Sequence, residues 1–439
     1  AGSPSRMSCA ILILKYAIQT PLGLQRMSSL RYGIPFWLDR FPKRRVPDYP
    51  RHRGQLDTEV AIVGGGLTGC AIAYAFAAAG MRVALFERDR LAQGMGAVRS
   101  LGLLRHEPDA DFSEVAATYG VRAARRMWQD TRRASLDFAS ALRRLDLRCD
   151  LEIQDAIWFA CASDREKRLR QDLHARREAG LSQDGASWLT PAALKRETSV
   201  SGVGGIKTRD VAHIDPYRAA LGLASAAAGK GAAIYERSAV ERVRAGRKKV
   251  EIRTEGGSVS ADRIVIATGF PSSEFGALRR HFDLFHTYMV QTGSLTAAMR
   301  REVGRRAAML RDTDAPPHFL RWARDDRVMF AGGDQPAVPD RARPKALVQR
   351  TGQLMYELSV HFPAISGIPA ISGWDAAVAR TRDGLPYFGP HRNYARHLFA
   401  LGHGRHGAGL AWLAARILLR AHLGEPARGD EWFAFARTL

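Results

Sequence analysis

Cysteine is scarce. The 439 residues hold four, Cys9, Cys70, Cys149 and Cys161, with no C-x-x-C pair. Four are too few for a disulfide scaffold and point to separate reduced thiols in a cytoplasmic protein. No apolar run approaches the roughly 18–20 residues that cross a bilayer. The nearest, Ala10–Leu14, is broken by Lys15 and lacks the cleavage site of a signal peptide, so the opening segment carries no functional weight. The 13 histidines show no H-x-x-x-H or Cys/His spacing suited to zinc, and no metal is expected. A G-x-S-x-G nucleophile motif, an internal repeat and a low-complexity linker are also missing.

Acids are the other shortage. Against 66 Lys+Arg stand 44 Asp+Glu, a formal net charge of +22. Such an excess raises nucleic acid, an anionic membrane or an acidic substrate as partners without choosing among them. The basic residues are mixed with acids at helical spacing (Asp130, Asp137, Asp146), and no aromatic-interleaved basic stretch appears, which argues against nucleic acid. At 46% hydrophobic and 25% charged the chain has the composition of a folded protein. Its length suits two interwoven domains of roughly 100–200 residues each.

What is present begins at Thr58. Glu59–Val63 is a short apolar run with the pattern of a buried parallel strand. Gly64, Gly66 and Gly69 then spell G-x-G-x-x-G, and an Ala-rich helix from Cys70 to Ala79 stops at Gly80. Arg82–Phe86 is a second strand, ending in Glu87. Each part has a physical task. Gly64 permits the tight turn, Gly66 lets backbone N–H groups approach a pyrophosphate, and Gly69 lets helix and strand pack closely. The helix N-terminus offers its positive end to phosphate. An acid about 20 residues on accepts hydrogen bonds from a ribose diol, which favours NAD or FAD over NADP. Further along, 239–243 and 250–254 alternate as a hairpin, and 262–269 is a third apolar strand ending in Ala267-Thr268-Gly269. Near the C-terminus, the strand 398–401 runs into Gly402–Gly409, which opens a helix from Leu410 to His422.

These residues, with His213-Ile-Asp-Pro-Tyr217, Trp374 and Asp383-Gly-Leu-Pro386, resemble the D-amino-acid oxidase-like superfamily of FAD-dependent oxidoreductases. That group includes sarcosine, glycine and γ-glutamylputrescine oxidases, and the resemblance covers about residues 57–439. It implies an α/β chain in which a Rossmann-like FAD-binding domain is interleaved with an α+β substrate domain containing an antiparallel sheet. Residues 1–56 are then an N-terminal extension, 57–111, 200–282 and 371–439 the discontinuous FAD-binding domain, and 112–199 and 283–370 the substrate or cap domain. Within the cap, 112–147 reads as one helical stretch and 164–178 as a second basic helix. The runs 287–290, 318–322 and 328–331 read as strands over the flavin.

The resemblance also implies roles. Gly64, Gly66, Leu67, Thr68, Gly69, Glu87 and Arg88 would hold the ADP half of FAD, and Val240 would lie beside the adenine. Arg99, Ser100, Ala267, Thr268 and Gly269 would pass near the cofactor. Gly404, Gly407, Ala408 and Gly409 would bring a helix N-terminus to the flavin, whose reduced form is anionic. Family chemistry is hydride transfer from a C–H beside an amine nitrogen, with the imine then hydrolysed and the electrons passed to oxygen or a quinone. It asks for a cation to hold a substrate carboxylate and aromatic walls to exclude water. Arg321, His318, Trp374, Arg405 and His406 are the candidates. Some relatives bind flavin covalently; His106 and Cys70 are the nearest candidates, and non-covalent FAD is expected. Two departures stand out: Arg99 in the loop after the second strand, and Arg405-His406 where relatives often carry Gly-Asn. They leave open a flavoprotein that serves only as a binding subunit, and the net charge leaves open a tRNA-modifying oxidoreductase.

Overall fold

Val60, Ala61 and Ile62 are fully buried because both faces of their strand are covered. The strand, Gly54–Val63, lies at the centre of the smaller of two sheets in the computed structural model, which describes residues 30–181 and 185–438. Cys9 and the Ala10–Leu14 run lie outside the described residues. Five parallel strands, Tyr394–Leu401, Gly257–Gly269, Gly54–Val63, Val83–Phe86 and Ala233–Tyr235, sit side by side in that order. An antiparallel edge strand, Tyr387–His391, and the hairpin Val240–Ala245 with Val250–Thr254 complete the sheet.

Alternation along the central strand divides its burial. Val60 and Ile62 join the core with the helices Leu67–Ala78, Pro216–Gly229 and Gly407–Leu423, while Ala61 packs with Val250 and Ile252 of the hairpin. At about 1.5–3 kcal/mol for each fully buried aliphatic or phenyl side chain, this double covering stabilises the strand that leads into Gly64. The His-x-Asp-Pro segment is a helix start. Asp215 Oδ1 accepts the Tyr217 and Arg218 amides at 3.0 and 2.9 Å, and Pro216 occupies the first helical position.

The second sheet has ten strands, mostly antiparallel. Its centre is Ala370–Arg380, Asp283–Thr292, Arg327–Pro336 and Phe319–Ala323, continuing through Ala308–Arg311, Glu152–Ala160 and Gly204–His213. Tyr288, Val290, Leu320 and Phe330 face outward against the helix Arg343–His361. Met289, Phe319, Ala331 and Trp374 face the core shared with the first sheet. Period-two alternation thus gives this sheet an inner and an outer side.

Four segments differ from their sequence-based assignment. Gly204–His213 and Ala370–Arg380, allotted to the cofactor segments, are strands of the second sheet, hydrogen-bonded to Glu152–Ala160 and Asp283–Thr292. In the N-terminal extension, Arg31–Tyr32 pairs with Ala370–Arg380 and Trp37 is buried, so its described part, residues 30–56, belongs to the fold. The helical stretch 112–147 is two helices, Phe112–Tyr119 and Val121–Arg144, divided at Gly120, whose φ of 86° breaks the helix. Arg122, Arg125, Arg133, Arg143 and Arg144 lie on its exposed side. Among the described residues no helix is long and apolar enough to cross a membrane.

Candidate active site

A cavity of about 540 Å³ runs between the sheets. At one end its walls are mostly backbone. Gly64 has a φ of 107°, and a Cβ there would stand 2.8 Å from the Ala267 oxygen. A Cβ on Gly69 would stand 1.8 Å from the Gly64 oxygen, so helix and strand meet at a distance only glycine allows. Gly66, by contrast, faces open space, as does Gly269. The helix Leu67–Ala78 begins at Gly66 with no capping side chain, so its N-terminal dipole is directed at the cavity. Glu87 accepts the Gly65 amide at 2.7 Å and the Asp89 amide at 3.0 Å. Burial pushes its pKa up, and these backbone donors only partly oppose the shift. Arg88, Val240, Ala267, Thr268 and Ser100 also line this cavity.

A second helix N-terminus reaches the same space. Gly404 and Gly407, before and at the start of Gly407–Leu423, line it, as does His403, whose Nε2 stands 3.3 Å from Thr68 Oγ1. Burial lowers the His403 pKa to about 4. Ala408 and Gly409 lie behind the wall as packing residues. The Gly409 position would otherwise clash with the His406 ring, 2.2 Å from a Cβ placed there.

The far end is made of side chains. Leu103, Met289, Phe319 and Ala331 form apolar walls, and Arg105 and Arg405 bring charge. The Arg105 guanidinium lies over the Phe319 ring at 5.2 Å and pairs with Asp109. Asp109 in turn accepts the Arg405 amide at 2.7 Å, and the Arg405 guanidinium pairs with Asp334. A Cβ on Gly404 would stand 2.1 Å from Asp109 Oδ2, so the glycine makes room for this bridge. Burial works to protonate Asp109, yet Arg105 and Arg405 hold its pKa down to about 2. A small side cavity of about 40 Å³ shares Leu103, Arg105 and Phe319 with the main one and adds Arg311. Arg311 lies over Trp158 at 4.0 Å, and its Nε is buried without a hydrogen-bond partner.

Of the five candidates for the chemistry, Arg405 alone lines the cavity. His318 points to the outer side of its sheet, where it stacks on Phe330 and hydrogen-bonds Asp312 and Glu357. Arg321 donates to the Leu101 and Ile214 oxygens at 2.7 and 2.9 Å beneath Trp37, clamping three chain segments. Trp374 is a core residue whose Nε1 donates to the Arg99 oxygen at 2.8 Å. His406 is buried behind the cavity wall. Arg99 also misses the cavity, because its guanidinium donates to the Gly33 and Asp375 oxygens. The unusual Arg99 and His406 are therefore absorbed by packing and do not fill the space. Cys70 and His106 face away too, Cys70 toward the Gly65 oxygen and His106 toward a separate small cavity. The wall residues missed from sequence include Arg105, Leu103, Met289, Phe319 and Ala331. An arginine directly after the apolar stretch Leu101–Leu104 was the available signal for the first.

The family model for "FAD dependent oxidoreductase" matches residues 59–421. The chain belongs to that family. Glycine oxidase of Bacillus subtilis (strain 168) is 24% identical over 385 residues, covering 86% of this chain and 96% of the relative. Gamma-glutamylputrescine oxidoreductase of Escherichia coli (strain K12) is 24% identical over 375 residues, covering 85% of each. The crystal structure of glycine oxidase from Geobacillus kaustophilus superposes with a TM-score of 0.70 at 20% identity, over 85% of this chain and 96% of that one. The protein is thus an FAD-dependent oxidoreductase with the fold of glycine oxidase.

The cavity fits the family's cofactor. Bare backbone at Gly66 and Gly269, two helix N-termini and a carboxylate beyond the second strand suit a pyrophosphate, a ribose and an anionic reduced ring. Its volume lies within the usual range for cofactor clefts, ~300–1,000 Å³.

Proposed function

We propose that the enzyme oxidises the C–N bond of an amino acid or secondary amine that carries a carboxylate. Bound FAD supplies the acceptor for a hydride from the C–H beside the nitrogen. Gly64, Gly66, Leu67, Thr68, Glu87 and Arg88 would hold its ADP half without a covalent link, Val240 would flank the adenine, and Ala267–Gly269, Ser100, Gly404 and Gly407 would line the rest. Removal of a hydride from a neutral amine asks for no paired acid and base. The chain's work is to hold the substrate, keep water out and keep its own charges fixed. Leu103, Met289, Phe319 and Ala331 provide the dry wall.

The observation that carries this reading is Arg105, a cation with a side chain only 8% exposed, on an apolar cavity wall. Its planar fork suits a carboxylate, and Asp109 pairs with it and balances its charge. Arg311 in the side cavity offers a second cation and favours substrates with an additional anionic group. Glycine oxidase and gamma-glutamylputrescine oxidoreductase, by their names, act on compounds of this class. The test is anaerobic mixing of the flavin-loaded protein with a panel of amino acids, N-alkyl amino acids and dicarboxylic amines. Bleaching of the flavin band by carboxylate-bearing amines, and not by the matching amines without a carboxylate, is expected. Bleaching that ignores the carboxylate would remove Arg105 from the account. Reoxidation by oxygen or by a quinone then distinguishes oxidase from dehydrogenase.

A further inference from the structure

On the outer side of the second sheet, away from the cavity, Asp312, Asp314, His318 and His361 converge. Each offers one ligand atom, and these atoms lie within 4.8 Å of one another. We propose that these four side chains bind a divalent transition-metal ion, zinc by preference. The donor set of two imidazoles and two carboxylates suits zinc. Tetrahedral bonds of about 2.0 Å put ligand atoms about 3.3 Å apart. Here Asp312 Oδ2 stands 3.4 Å from His361 Nε2 and 2.6 Å from His318 Nδ1, and Asp314 Oδ2 stands 3.9 Å from His318 Nδ1. Ångström-scale adjustments convert this arrangement into a coordination shell.

The surroundings already orient the ligands. Asp312 Oδ1 accepts the His318 and Asp314 amides at 2.8 and 3.1 Å, which turns Oδ2 toward the two rings. His318 Nε2 lies 3.1 Å from Glu357 Oε2, and Glu357 Oε1 accepts Gln353 Nε2 at 2.8 Å. A ring that donates one N–H to a carboxylate presents the other nitrogen to a metal, the usual support for a ligating histidine. The ring itself is fixed, stacked on Phe330 at 5.1 Å and lying where a Cβ on Gly332 would stand 2.3 Å from its Cδ2. Asp314 is exposed and gives an ion access from solvent. Metal uptake replaces the protons that join Asp312 to the two rings and releases them.

The site would clip the 312–318 loop to the end of the helix Arg343–His361. The residues next to its two ends, Arg311 and Phe319, line the cavities described above.

The test uses the full flavin-loaded chain, stripped with a chelator, dialysed and titrated with zinc, with bound metal counted by mass spectrometry. One zinc per chain and a rise in the unfolding temperature are expected. H361Q should lose the ion, and D314N, altered at an exposed position that leaves the fold intact, should bind it more weakly. E357Q, which replaces the supporting carboxylate by a neutral amide, should bind about tenfold more weakly, as changes to a ligand's supporting partner do. Flavin absorbance should stay unchanged in all three. Equal zinc uptake by wild type, H361Q and D314N, or no uptake by wild type, would overturn the proposal.

Discussion

At the glycine end of the cavity the surface offered to a ligand is largely backbone, from Gly64 to Thr68 and from Ala267 to Gly269. At the far end it is side chains, Arg105, Met289 and Phe319, brought together from three distant parts of the chain. The first arrangement depends on where atoms are absent, and the second on which atoms are present. Substitutions at the two ends should therefore fail differently, the first by loss of cofactor and the second by loss of turnover with cofactor retained.

The largest effect is expected for Gly69→Val. Its Cβ meets a backbone oxygen that cannot move without shifting the strand, a cost of about 3 kcal/mol or more. The purified variant should be colourless or insoluble; a yellow variant of normal stability would mean that the close approach is unnecessary. Next is Arg105→Met, which should lower kcat/KM about 10–100-fold, as removal of a charged hydrogen bond worth ~1.5–3 kcal/mol does. Steady-state kinetics at full flavin occupancy checks this, and unchanged kinetics would assign the carboxylate to another cation. Glu87→Ala should weaken FAD about tenfold, read by flavin fluorescence on dilution, since its carboxylate also holds the Gly65 and Asp89 amides.

Smaller effects concern the junction of the two ends. Burial lowers the pKa of His403 to about 4 and of His406 to about 3, against about 6.5 when unfolded. Between pH 6.5 and 4 the unfolded chain therefore binds more protons, and stability falls with falling pH across that window; above 6.5 the two rings contribute no slope. Asp215, raised by burial to about 6, acts in the opposite direction over part of the range, so the comparison with His403→Asn isolates the ring. Unfolding temperature against pH should be flatter for that variant, and identical slopes would contradict a neutral buried His403. The smallest effect is expected for Arg405→Lys, roughly a threefold rise in KM, because the charge survives while the fork toward Asp334 is lost.

The same contrast explains what was legible before the structure. Turns, close approaches and a carboxylate at a strand end impose residue types at fixed spacings, so Gly64, Gly66, Gly69 and Glu87 can be read from a linear chain. Which residue of a strand faces a cavity depends on register, and a shift of one residue reverses it. The strand near 318–322 was recognised, but its cavity residue is Phe319 and not His318. Arg321 lies on the same side as Phe319, two residues further along, where it meets the Leu101 and Ile214 carbonyls. Arg105 follows a strand of only two residues, Leu103–Leu104, which leaves no periodicity to read. The Asp312–His361 cluster joins a loop to a helix end far along the chain, so no local histidine spacing announces it.

In the proposed arrangement one cavity has a cofactor end held by backbone and Glu87 and a substrate end held by Arg105. Its most direct test is a crossed measurement on Glu87→Ala and Arg105→Met, with FAD affinity and anaerobic flavin reduction by the best amine determined for each. Weakened FAD with near-normal reduction at saturating FAD is expected for Glu87→Ala. For Arg105→Met, normal FAD with reduction slowed at limiting amine is expected. Equal loss of both properties in both variants would contradict the arrangement.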